Sequence, residues 1–105
     1  MARQGKEDAK TLVRTRKQLR EPSLWQVLLH NDDYTTQAFV VWLLKTVFRK
    51  PEPEAVAIML AVHTSGLGVA GVYTRDVAET RAEKARRLAE REGFPLLCTV
   101  EEVHA

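Results

Sequence analysis

The sequence predicts an α+β domain of two layers, a three-stranded antiparallel sheet with three helices on one face, in the order β-α-α-β-α-β. Three observations lead there. Short apolar runs of strand length alternate with longer runs of helical period, and glycine, proline or a cluster of Asn, Asp and Thr marks each boundary between them. A chain of 105 residues, 45% of them apolar, suffices for one core and not for two.

Leu24 to Leu29, with Trp25 and Val27, reads as a strand covered on at least one face. Thr35 to Arg49 then reads as a helix with Thr35 or Asp33 as its N-cap and Phe39, Val40, Leu43, Leu44, Val47 and Phe48 on its inner face. It is apolar nearly all round, so it is expected to be well buried. Pro51 and Pro53 end it, and Pro53 suits the first turn of a second helix. That helix carries an Ile58, Met59, Val62 stripe and stops at Gly66, which can take the left-handed conformation.

Leu67 to Tyr73 is the second expected strand, with Gly68 and Gly71 pointing to a bulge or a close backbone approach. Thr74 caps a third helix over Arg75 to Glu92, whose inner face is Val77, Ala78, Ala82, Ala85, Leu88 and Ala89. Glu83 with Arg87 and Arg86 with Glu90 fall at the spacing of favourable pairs on its outer side. Gly93 and Pro95 close it, and Leu96 to Val100 forms the last strand.

Charge is unevenly distributed. Residues 1–23 carry seven Lys/Arg and three Asp/Glu, a net +4, and residues 24–105 carry nine and eleven, a net −2. The reading is a flexible basic N-terminal arm over 1–23, closed by Pro22, ahead of a slightly acidic folded domain over 24–105. The domain shows no basic stripe with interleaved aromatics, so no nucleic-acid partner is expected. No apolar run nears the roughly 18 residues that span a bilayer, and no membrane partner is expected either. The single cysteine, Cys98, and the absence of an apolar leader point to the cytoplasm.

The chemistry concentrates at Asn31-Asp32-Asp33-Tyr34-Thr35-Thr36, where two carboxylates, an amide and hydroxyls stand between an apolar strand and an apolar helix. Flanking packing fixes such side chains without burying them, which is what holding a cation or an amine requires. His63, four residues after Met59 and on the same helix face, can add a ring nitrogen as acceptor or a cation favoured by the helix C-terminus. The same cluster also suits a plain helix cap and chain turn. Asp32, Asp33 and His63 are metal-ligand types, yet their spacing matches no known metal motif, and no metal or other cofactor is expected. Cys98 among apolar neighbours reads as an inert thiol, and no glycine-rich phosphate loop is present.

Four strings of this chain resemble one family. Val27-Leu28-Leu29-His30-Asn31-Asp32-Asp33-Tyr34-Thr35, Ile58-Met59-Leu60-Ala61-Val62-His63, Gly71-Val72-Tyr73-Thr74 with Ala78-Glu79-Thr80, and Pro95-Leu96-Leu97-Cys98-Thr99 resemble the ClpS adaptors in order and spacing, from Leu24 to Glu102. The resemblance implies that 24–105 is a ClpS-like adaptor domain, non-enzymatic and belonging to the bacterial N-degron pathway. Such a protein binds substrates that begin with Leu, Phe, Tyr or Trp and delivers them to the ClpA N-terminal domain of the ClpAP protease, modulating its substrate choice.

By that similarity Asn31, Asp33 and His63 grip the α-amine, Asp32 supports the loop and Thr35 meets the first peptide groups. An ammonium has three donors and needs several converging acceptors, at least one charged, so the chemistry agrees. The side chain would enter a cavity lined by Leu29, Val40, Met59, Val62 and Leu96, with Gln37 at its edge. Asp76 and Arg81 match positions of the family's unfoldase-binding surface. The chain departs from the family in reading Thr36-Gln37-Ala38 where Pro-Met-Glu is frequent: Ala38 cannot complete a capping box with Thr35, and Gln37 replaces a methionine that closes one side of the pocket. The alternatives from other classes are a metal-dependent hydrolase using the Asp/His cluster, and a simple docking domain resembling the C-terminal fold of the ribosomal stalk protein.

Overall fold

The computed structural model describes residues 23–104. Six elements follow one another as β1 (Leu24–His30), α1 (Gln37–Thr46), α2 (Glu52–Ser65), β2 (Leu67–Thr74), α3 (Arg75–Arg91) and β3 (Leu97–Glu102). The strands form one antiparallel sheet in the order β2-β1-β3, so the first strand is central and is paired on both edges. Val27 and Leu29 of β1, Ala70 of β2 and Cys98 of β3 join Leu43, Leu44, Met59, Val62 and the alanines of α3 in a single core. The fold class is the predicted one.

The bulge expected at the glycines of β2 is present. Val27 pairs with Gly71 and Leu28 with Val69, which leaves Ala70 as the extra residue. Gly68 is needed for a different reason: a β-carbon there would lie 2.6 Å from Cγ2 of Val62 and 3.2 Å from the carbonyl oxygen of Ile58. Its lack of a side chain lets α2 lie directly on β2.

The start and end of α1 differ from expectation. Thr36, not Thr35 or Asp33, is the N-cap, its hydroxyl accepting from the Phe39 N–H at 3.1 Å. Thr35 instead donates its amide and its hydroxyl to Asp32. The helix stops at Thr46 and not at Arg49. The Lys50 N–H returns to the Leu44 carbonyl at 3.0 Å with Arg49 at φ 54°, a left-handed closure made by a residue other than glycine. Nor is α1 buried all round, since Trp42 is 47% exposed.

In α2 Pro53 occupies the first turn with Glu52 and Glu54 beside it, and Gly66 at φ 85° returns its N–H to Val62. Ala55, Met59 and Val62 form the buried stripe, with Ile58 partly covered. In α3 the alanines at 78, 82, 85 and 89 are buried, so the helix lies close to the sheet, whereas Val77 turns outward. Thr74 stands at the N-cap of α3, but its side chain makes no capping bond. Glu83 does meet Arg87, at 3.2 Å. Arg86 reaches Glu83 at 3.7 Å and donates to the Cys98 carbonyl at 3.0 Å in place of pairing with Glu90. That bond ties α3 to β3, which starts one residue later and runs two further than the apolar pattern suggested.

Candidate functional site: an acidic pocket between the first loop and the second helix

The loop from Asn31 to Thr36 lies where β1 leaves the sheet, and one backbone bond brings it to α2. The last ladder pair of β1 with β2 is His30 with Leu67, and just beyond it the Asn31 N–H donates to the Gly66 carbonyl at 3.0 Å. Gly66 closes α2, so His63 in the last turn of that helix comes to the same rim as Asn31. A whole helix pair separates Asn31 from His63 along the chain, and the sheet register removes that separation in space.

The two aspartates have opposite fates. Asp32 accepts through Oδ1 from the N–H groups of Tyr34 at 2.8 Å and Thr35 at 2.7 Å, and through Oδ2 from the Thr35 hydroxyl at 2.7 Å. Both oxygens are spent on the loop. Burial raises its carboxyl, but those bonds from Thr35 and Tyr34 outweigh it and leave the group below the ordinary 3.8. Asp33 accepts no hydrogen bond among the described residues, and the side chains of Asn31 and His63 likewise engage no protein partner there.

A cavity of about 420 Å³ opens at this point, lined by Asn31 through Gln37 on one side and by Val40, Met59, Val62 and His63 on the other. Its rim is polar and its depth apolar. All five residues assigned to the amine, Asn31, Asp32, Asp33, Thr35 and His63, lie on its wall. Of the residues assigned to the side-chain pocket, Gln37, Val40, Met59 and Val62 line it, but Leu29 and Leu96 do not: both are buried in the core cluster. Leu29, in the central strand, is fully buried.

Tyr34 and Thr36 also line the cavity; the sequence places both in the polar cluster without giving either a role of its own in the site. Tyr34 is 75% exposed, and Thr36 stands just before the helical run, where a cap is expected. Among the described residues no three His, Cys, Asp or Glu side chains are placed together to hold a metal ion. No helix among them is long and apolar enough to cross a membrane.

Asp76 and Arg81 lie away from this pocket, on α3. Asp76 is exposed in the first turn, and with Val77, Thr80, Arg81 and Lys84 it borders a shallow cleft of about 340 Å³. The Arg81 guanidinium is partly buried, donating to the Val47 carbonyl and lying 5.6 Å from the centre of the Tyr73 ring.

Comparison with known proteins agrees with this architecture. The solved structure of Agrobacterium tumefaciens ClpS2 bound to L-phenylalaninamide matches with a TM-score of 0.75 and 44% identity, covering 78% of this chain and 99% of that one. The ATP-dependent Clp protease adapter protein ClpS of Nitratidesulfovibrio vulgaris (strain Miyazaki F) is 52% identical over 99 residues, 94% of this chain and 97% of its own length. The protein of the same description from Lawsonia intracellularis is 55% identical over 85 residues, 81% of this chain and 78% of its own. The pattern that defines the family described as ATP-dependent Clp protease adaptor protein ClpS matches residues 20–99. By the family match over most of the chain and the identity to these relatives, this protein belongs to the ClpS family of Clp protease adaptors.

Proposed function

We propose that the pocket binds the free N-terminus of a polypeptide whose first residue is Leu, Phe, Tyr or Trp, and that the protein, acting without catalysis, delivers that polypeptide to the N-terminal domain of the ClpA unfoldase. One observation carries the reading. On the wall of a cavity that Val40, Met59 and Val62 also line, the Asp33, Asn31 and His63 side chains have no protein partner among the described residues, while Asp32 is used up in holding the loop. An α-ammonium supplies three donors for three such groups, and the attached side chain points into the space between Val40, Met59 and Val62. The L-phenylalaninamide bound to the Agrobacterium relative offers the same two features, a free amine and an aromatic side chain.

Acetylating the amine of a Leu-initiated peptide removes the charge and leaves Asp33 desolvated, at a cost on the order of 2–4 kcal/mol. Binding measured by calorimetry should nearly vanish, and Asp33→Ala should weaken the free peptide comparably. Equal binding of acetylated and free peptides would sink the assignment.

Delivery uses other parts of the chain in this reading. The cleft at Asp76 and Arg81 faces the unfoldase, and the basic segment 1–23, which lies outside the described residues apart from Ser23, is engaged during hand-over. Removal of residues 1–20 should leave peptide affinity within about 0.5 kcal/mol. Degradation of a reporter by ClpAP should fall sharply.

A further inference from the structure

We infer that the exposed face of α1 centred on Trp42 holds the polypeptide that follows the bound N-terminal residue and favours an apolar side chain about three residues along it. This rests on the reading of the pocket as an amine site. A surface helix normally turns polar residues outward, yet α1 exposes Ala38 and Trp42 and covers Val41 only in part. The Trp42 ring is held in place by packing: it lies 5.7 Å from the Phe39 ring, which lies 4.9 Å from Phe94.

A groove of about 510 Å³ runs between α1 and α2 past Val41, Trp42 and Val56, and ends at the Lys45–Glu52 ion pair of 2.6 Å. It shares Gln37 and Met59 with the amine pocket. A chain leaving the pocket along α1 therefore passes directly into it. From Gln37 to Lys45 the helix rises about 12 Å, and an extended chain advances about 3.3 Å per residue, so the groove accommodates roughly three to four residues beyond the first. Lys45 is already neutralised by Glu52, so the groove selects apolar side chains and gives an acidic one no free cation.

The test titrates the full-length protein with Leu-initiated peptides that are otherwise all serine, or that carry Phe at position 2, 3 or 4, beside leucinamide and the acetylated counterparts. Phe at position 3 or 4 should tighten binding about three- to tenfold, with a blue shift of Trp42 emission that leucinamide does not produce. In Trp42→Gln the gain should drop below about twofold with leucinamide binding unchanged, and Val56→Ser, which alters the other wall, should reduce the gain as well. A gain that is absent in the wild type, or that survives both substitutions, overturns the inference while leaving the amine pocket intact. Trp42-dependent self-association in ultracentrifugation would overturn it by assigning the face to a second copy. Acetylated peptides binding as well as free ones would overturn the amine reading itself, and this inference with it.

Discussion

The Thr35 hydroxyl donates to Oδ2 of Asp32 at 2.7 Å, and that contact decides which of two adjacent aspartates remains available to a ligand. With the Thr35 and Tyr34 N–H groups on Oδ1, Asp32 becomes the internal brace of the polar loop and Asp33 its outward acceptor. One residue beyond Thr35, Thr36 caps α1, and Gln37 and Val40 of that helix line the cavity.

Asp32→Ala removes an acceptor that serves three donors and should destabilise the fold by about 2 kcal/mol in urea denaturation at neutral pH. The folded state binds this proton more weakly than the unfolded chain, because the carboxyl sits below 3.8 when folded. Its contribution is therefore complete above the unfolded value and disappears as pH falls through the lower folded one. The gap between wild type and variant should narrow below about pH 4, and a constant gap would contradict the role.

Gln37 separates the amine pocket from the α1 groove and is exposed at the first position of the helix. Its amide can turn to water, which leaves the cavity mouth wider than a thioether would. Gln37→Met should therefore increase discrimination of Leu over Ile at the peptide N-terminus by about 1–2 kcal/mol. Identical Leu, Ile and Phe ratios in both proteins would show that this position is not a gate.

Gly68→Ala drives a methyl group into Val62 and the Ile58 carbonyl. A loss of about 2–3 kcal/mol of stability is expected, with weaker peptide binding because α2 carries Met59, Val62 and His63. Val62→Ala removes the nearer clash, so the double variant should lose less than the sum of the two single changes. Strict additivity would contradict this account of the contact.

Cys98 is buried, and burial pushes its thiol up to about 11 against the smaller opposite pull of Arg86. It should resist thiol reagents until the protein unfolds. Between pH 9 and about 11 the unfolded chain loses this proton and the folded one keeps it, so stability should fall with rising pH by up to about 1.4 kcal/mol per unit from this group. Cys98→Val should flatten that part of the pH profile, and an unchanged slope would exclude the thiol as its source.

The element order, the bulge at the glycines of β2 and the polar loop are legible in the residues alone, because each follows from local rules of period, turn chemistry and backbone freedom. The sequence also brought Asn31, Asp33 and His63 together through resemblance, without a physical reason for their meeting. That reason is tertiary: the His30–Leu67 pairing and the Asn31–Gly66 bond bring two distant segments to one rim. Packing alone settles that Leu29 and Leu96 belong to the core cluster and are absent from the cavity lining, that Thr36 caps α1, and that Trp42 faces outward. A helix apolar on every side does not reveal from its own pattern which side its neighbours will cover, since that choice depends on where α2 and α3 pack against it.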